Sequence, residues 1–321
     1  MQRYLILTLL FVFALSTLAV GLIFGSVDLS LTKLIPTLFG NAGGLDAQIM
    51  LQLRLPRVMS AFACGGLLAL AGALLQVLLR NPLADPYILG ISGGAAVAAL
   101  GGMLLGLSWA GVNLFALIGA LAAIGMVFAL SFNGGPWDMH RLLLTGVILS
   151  AGFGAVISLM LALAPSVQVQ GMLFWLMGDL AHASSPAATW SVMGVLAGAS
   201  MWQARSLTVL GLGEIKAKTL GVAVLPLQIG IYFIAAAATS AAVMEAGTIG
   251  FVGLIIPHMV RLLGVSDYRW LIPMALLLGG GFLTLADTLA RTVVAPTQLP
   301  VGVLTALLGV PTLLVLLRAR K

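Results

Sequence analysis

The stretch RLPRVMSAFACGGLLALAGALLQVLLRNPLADP, residues 54–86, decides the fold. Between Arg57 and Arg80 no residue is charged. An α-helix over 58–79 rises about 33 Å, enough to cross a hydrocarbon core of about 30 Å. Ala61, Ala63, Gly65, Gly66, Ala69, Ala71 and Gly72 crowd the run, and small residues let helix backbones approach closely where lipid removes the hydrophobic drive for association. Asn81-Pro82 and Asp85-Pro86 then stop the helix. Proline lacks the amide donor and biases its predecessor away from the helical region. The segment reads as a membrane-crossing helix closed by a tight, fixed loop.

The rest of the chain follows the same pattern. Of 321 residues, 61% are hydrophobic and 7% are charged, against roughly 25% charged in a soluble domain. With so little polar surface the chain could not cover its apolar exterior in water, so lipid is the outer solvent. Its 39 glycines suit close helix packing. Apolar stretches interrupted by Gly, Pro or charge give about ten spans, at roughly 4–24, 58–79, 91–107, 113–132, 142–163, 189–203, 226–246, 250–263, 271–289 and 300–317.

An even number places both termini on one side, and the basic residues identify it as the cytoplasm. Eleven of the 15 Lys and Arg then lie inside, and Lys33, Arg54, Arg57 and Arg291 lie outside. The first span follows Arg3 in the manner of a signal peptide, but Leu22-Ile23-Phe24-Gly25 offers no A-x-A-like cleavage site, so a retained helix is expected. Residues 1–321 are expected to form one all-α polytopic transmembrane domain, a multi-pass bundle of the bacterial inner membrane.

Little in the sequence suggests catalysis. His140, His182 and His258 are scattered without metal-site spacing, so no metal is expected. No G-x-x-x-x-G-K-[ST] run occurs, so the chain does not cradle nucleotide phosphates in the usual way, any driving energy comes from elsewhere, and no cofactor is expected. Cys64 lies alone in an apolar stretch as a packing residue. An ion-coupled secondary transporter usually needs paired ionisable residues near the midplane, whereas Glu245 and Asp287 fall near the outer ends of their spans. Gln170 to Gly178 is too short to cross. It reads either as a re-entrant helix beside a pathway or as an interfacial helix lying flat.

Seven segments in order carry a resemblance. They are Arg54-Leu55-Pro56-Arg57 with Gln76 through Pro86, Leu89 through Gly94, Phe174 through Gly178, Leu212-Gly213-Glu214-Ile215, Gly250 through His258, Leu285-Ala286-Asp287, and Leu299 through Gly302. In these the chain closely resembles the FecCD-type permeases, the family of cobalamin, haem and ferric-siderophore importers. The resemblance implies a homodimer of ten-helix subunits embedded in lipid, two cytoplasmic ATP-binding cassette ATPase subunits and an extracytoplasmic substrate-binding protein. It implies no nucleic-acid partner.

Residue roles follow in part from chemistry and in part from the resemblance. Residues 211–222 alternate Leu212, Ile215 and Leu220 with Glu214, Lys216 and Lys218. A helix of two or three turns is marginal alone and needs a docking surface. The resemblance makes Leu212, Gly213, Glu214, Ile215, Lys216, Lys218 and Gly221 the ATPase-coupling segment. It places Asn81 and Leu83 in one cytoplasmic gate loop and Asp138, Met139 and His140 in the other, although the chain departs from the family pattern around Gly134 to His140. Arg54, Arg57 and Arg291 stand against the charge bias with a planar fork suited to carboxylates. The resemblance makes them a docking seat for the binding protein. Every Lys and Arg maps near a membrane boundary, which favours a nearly neutral cargo such as cobalamin over haem or an anionic siderophore.

Overall fold

A computed structural model describes residues 2–25, 45–132, 138–183 and 186–318. The described residues form helices joined by turns and short irregular segments, with no strand among them. The helices are α1 (Gln2–Ile23), α2 (Leu55–Leu78), α3 (Ile91–Leu104), α4 (Trp109–Ser131), α5 (Met139–Leu163), α6 (Ser166–Leu176), α7 (Pro186–Trp202), α8 (Ala204–Leu210), α9 (Glu214–Thr219), α10 (Val224–Ala246), α11 (Val252–Leu262), α12 (Tyr268–Thr292) and α13 (Val301–Arg318). A helical turn, Leu45–Gln48, and a π-helical turn, Ile49–Arg54, lead into α2 without a break.

The quoted stretch forms the axis of the bundle. Within its apolar window 94% of α2 and its lead-in is buried, against α12, α10, α11 and α7. Its small residues set the spacing. A Cβ on Gly65 would sit 2.2 Å from the Gly279 carbonyl oxygen of α12, and one on Gly72 would sit 1.8 Å from the Gly253 oxygen of α11. No side chain fits at either crossing, so two neighbouring helices touch α2 backbone to backbone. By contrast only 6% of the α5 window is buried. That apolar helix faces outward, as a surface solvated by lipid or a partner must.

Among the described residues six helices are long and apolar enough to cross a membrane: α1, α2 with its lead-in, α4, α5, α10 and α12. Of the other four expected spans, α3, α11 and α13 are shorter apolar helices, and α7 has 17 residues. The 11 residues of α11 rise only about 16 Å, half a bilayer core. Irregular backbone at 247–251 precedes it, with Gly247 and Phe251 at positive φ of 67° and 71°. Such backbone survives at membrane depth only when protein satisfies its polar groups. Here the Tyr87 hydroxyl donates to the Ile249 oxygen at 3.0 Å and accepts from the Ile249 amide at 2.8 Å.

The short segment around Gln170 to Gly178 is α6, which follows α5 after Ala164-Pro165. Met172 and Trp175 are buried. Its end is built into the bundle: the Asp179 amide donates to the Ala246 oxygen at 2.9 Å, and the Val301 amide donates to the Gly178 oxygen at 3.0 Å. The Tyr4 ring meets Trp270 edge-on at 4.9 Å, placing the start of α1 beside the start of α12.

Candidate functional site

Two polar zones mark opposite ends of the bundle. At the end carrying Arg80, α8 leads into α9 through Gly213, whose φ of 114° only glycine adopts without strain. Glu214 occupies the first turn of α9, with Lys216 and Lys218 in the last, matching the helix dipole at both ends. Lys218 Nζ lies 3.0 Å from Glu214 Oε1, an exposed i,i+4 pair worth a few tenths of a kcal/mol. Amides of Gly221 and Val222 close the helix on the oxygens of Lys218 and Ala217. Ala217 alone of α9 is buried, while Leu212, Ile215 and Leu220 are 61%, 81% and 65% exposed. A six-residue helix therefore projects a bare apolar face with charges at its flanks.

Both expected gate loops begin near this helix. Asn81 Oδ1 accepts from the Leu83 amide at 2.9 Å, fixing the turn after Arg80. Asp138 caps α5 by accepting from the His140 amide at 2.9 Å. Arg80, Asp138, Met139, His140, Glu214 and Gln228 line one groove of about 420 Å³. The structure thus brings Asp138, Met139 and His140 to the same groove as Glu214 and Arg80. Asn81 and Leu83 are not among its lining residues. Gly134 to Trp137 fall outside the described residues.

A hydrogen-bonded brace ties this end together, and it went unread in the sequence. Gln76 donates to the oxygens of Gly253 and Leu254 at 3.3 and 3.0 Å and accepts from Arg261. Arg261 also donates to the Tyr268 hydroxyl at 2.9 Å, and that hydroxyl donates to the Ala73 oxygen at 2.9 Å. Thr208 of α8 accepts from the Tyr268 amide at 2.9 Å. The platform under α9 is therefore joined to α12, α2 and α11. Asp267 caps α12, and hydrogen bonds from Arg269 hold its carboxyl below the usual carboxylate range. That cap is present at neutral pH and is lost only as pH falls through the depressed value.

The opposite end carries the three arginines of the expected docking seat. Arg54, Arg57 and Arg291 do converge, yet they are 5%, 8% and 4% exposed. Asp287, fully buried, is the reason. Arg57 Nη2 and Nε reach Asp287 Oδ1 at 2.8 and 3.0 Å, and Arg291 Nε lies 3.0 Å from Oδ2. Arg57 Nη1 donates to Gln298 Oε1 at 2.7 Å. Arg54 donates to the Leu22 and Ile23 oxygens at 3.1 and 2.7 Å, and Arg291 to the Gly21 oxygen at 3.3 Å. Two cations thus satisfy the last carbonyls of α1, where cations are favoured. Within the single chain, Arg57 and Arg291 clamp α2 and α12 around one buried carboxylate, and Arg54 and Arg291 hold the end of α1.

Asp287 and Arg291 are four residues apart on one helix, a spacing that signals such a pair. The Arg57 contact spans 230 positions and has no local signal. Glu245, 4% exposed, is likewise internal and accepts from Ser60 Oγ at 2.7 Å.

The sequence profile of the FecCD transport family matches residues 8–319. The chain is 38% identical to the hemin transport system permease protein HmuU of Yersinia pestis, over 95% of this chain and 94% of that protein. It is 42% identical to the cobalamin import system permease protein BtuC of Halobacterium salinarum, over 84% and 73%. It is 39% identical to the uncharacterized ABC transporter permease protein YvrB of Bacillus subtilis, over 97% and 94%. A solved ABC transporter of metal-chelate type in an inward-facing conformation superposes with a TM-score of 0.86 at 29% identity, covering 98% of this chain and 99% of that one.

Proposed function

Because the chain belongs to the FecCD transport family, we propose that it is the permease subunit of a binding-protein-dependent ABC importer that moves a bulky metal chelate into the cytoplasm. The supporting observation is the bare apolar surface at α9 on a platform braced to α2, α11 and α12, beside the groove that holds Asp138, Met139 and His140. A face of that kind needs a docking surface, and a cytoplasmic ATPase supplies one. Closure of two ATPase subunits on nucleotide then moves α9 and α8 together, and the Thr208–Tyr268–Arg261–Gln76 brace carries that motion to α11 and the 247–251 segment. Two copies of the chain bury the outward apolar face of α5 between them, and the pathway lies along that seam. Cobalamin is the favoured cargo, because every Lys and Arg of the sequence lies near a membrane boundary.

Replacing both Leu212 and Glu214 by Ala is expected to leave the permease in the membrane while ATP-driven uptake falls at least tenfold. Uptake and ATP hydrolysis measured together in proteoliposomes test this. Full uptake with full ATPase binding by the double variant removes the coupling assignment.

The ten-span arrangement, with both termini in the cytoplasm, predicts opposite accessibility for two exposed positions. In a Cys64→Ala background, Leu105→Cys (71% exposed, between α3 and α4) should react with an impermeant thiol reagent in intact cells, and Lys216→Cys should be protected. Labelling of both sites from outside breaks that topology.

A further inference from the structure

A cavity of about 290 Å³ opens at the end of the bundle that carries the arginine clamp, between the start of α4, α6 and the end of α10. Its lining is acidic, amidic and aromatic. The Trp109 ring stacks on His182 with centroids 3.8 Å apart and planes inclined by 23°. Trp175 forms a buried wall, and Glu245, Asp179, Asn113 and Gln170 are the acidic and amide residues of the lining. No Lys or Arg lines it among the described residues. The nearest guanidinium, that of Arg57, comes only to 4.0 Å from Asp179 and is bonded to Asp287 at 2.8 Å.

The frame is rigid. Backbone bonds join Asp179 to Ala246 and Val301 to Gly178. At Gly247 a Cβ would lie 2.3 Å from the Trp175 oxygen, so α6 and the end of α10 meet with no room for a side chain. A volume of this size is at the low end of ligand pockets, which run from about 300 to 1,000 Å³. It admits one arm of a bulky chelate rather than the whole.

We infer that this cavity is a receiving subsite for an uncharged or cationic, N–H-donating arm of the cargo, such as a peripheral carboxamide or ammonium group, and that it discriminates against the same arm bearing a carboxylate. Carboxylates accept strongly from N–H donors in a low-dielectric site. They repel a second carboxylate there, the lining offers it no Lys or Arg, and its one imidazole, His182, already faces the Asp179 carboxylate at 3.9 Å. The indole faces give a cation or a flat amide a surface to lie on. The inference rests on the import reading and adds to it which chemical feature of the cargo is read on entry.

Two matched pairs of probes isolate that feature: cyanocobalamin against its monocarboxylic hydrolysis product, and ferrioxamine B against its N-succinyl derivative. Binding is measured on the permease–ATPase complex in nanodiscs. At least one amide or ammonium member should bind at least tenfold more tightly than its carboxylate partner. Asn113→Arg, and separately Gln170→Lys at the mouth, should remove or invert that ratio, whereas Asn113→Gln should keep it. Assembly of each variant with the ATPase is checked by size exclusion. Equal binding within both pairs, no binding of either pair, or a ratio that survives both basic substitutions overturns the subsite. ATP-driven uptake by the wild-type complex with its binding protein is scored separately. Uptake without discrimination sinks this inference and leaves the import reading standing, whereas absence of ATP-driven uptake sinks the reading itself.

Discussion

Asp287→Ala is expected to destabilise the folded permease by about 3–5 kcal/mol, the cost of leaving a buried cation without its partner. The side chain is fully buried, and two guanidinium groups converge on it at 2.8 and 3.0 Å. Arg57 would keep only Gln298 as a short-range hydrogen-bond acceptor among the contacts described here. Arg291 would keep the Gly21, Asp287 and Thr288 oxygens at 3.3 to 3.4 Å. Denaturation in mixed micelles, followed by fluorescence of the six tryptophans, measures the loss. Replacing Arg57, Asp287 and Arg291 together by apolar residues of similar volume should cost much less, because no charge is then stranded. A loss below about 1 kcal/mol for Asp287→Ala is the value of a solvated ion pair and would refute the buried clamp. The same experiment bears on docking. Were the arginines an exposed seat, Arg57→Glu would weaken binding-protein affinity while leaving stability alone. The clamp predicts the reverse order, a large loss of stability first.

The second large effect is steric. Gly72→Val places branched carbons where even a Cβ lies 1.8 Å from the Gly253 oxygen. The listener is backbone, which cannot rotate away. Overpacking costs about 1–3 kcal/mol where a core can yield, and α11 has little room to do so because Gln76 holds it through two carbonyls. Gly72→Ala gains about 1 kcal/mol of helix propensity and should still be net destabilising. Gly125→Ala and Gly198→Ala are the controls, since nothing lies within 4 Å of a Cβ at either position. These should be neutral or slightly stabilising under the same denaturation. If all four variants behaved alike, close backbone approach would not be what sets the spacing around α2.

Residues 54–86 show what was legible in advance and what was not. An uncharged run of that length can be read as a crossing helix because the relevant property, continuous apolarity, is local. Prolines mark its end for an equally local reason. The amphipathic character of 211–222 was legible too, since charge and apolar positions alternate within one short segment, and the structure shows the resulting exposed face at Ile215. Crossing length was less secure. Where backbone at 247–251 leaves the helical path, the polar groups are satisfied by Tyr87 from a distant part of the chain, and no hydropathy window contains that bond.

By itself, then, the sequence determined that this protein is a helical membrane bundle, where its helices are broken, and which short segment carries a face awaiting a partner. It also placed three arginines at one end. Only the tertiary structure decided what those arginines do. A guanidinium near a span end is equally compatible with headgroups, a docking partner or an internal carboxylate, and the choice depends on whether Asp287 is brought within hydrogen-bond reach. That depends in turn on α2 and α12 closing to backbone contact at Gly65 and Gly279, 214 positions apart in the chain. The acidic, aromatic cavity arose in the same way, from Trp109, Trp175, Asp179 and Glu245 meeting across three helices. Composition and periodicity record what each segment prefers to touch. The partner is fixed by packing, where short-range contact energies act between residues that the chain order keeps apart.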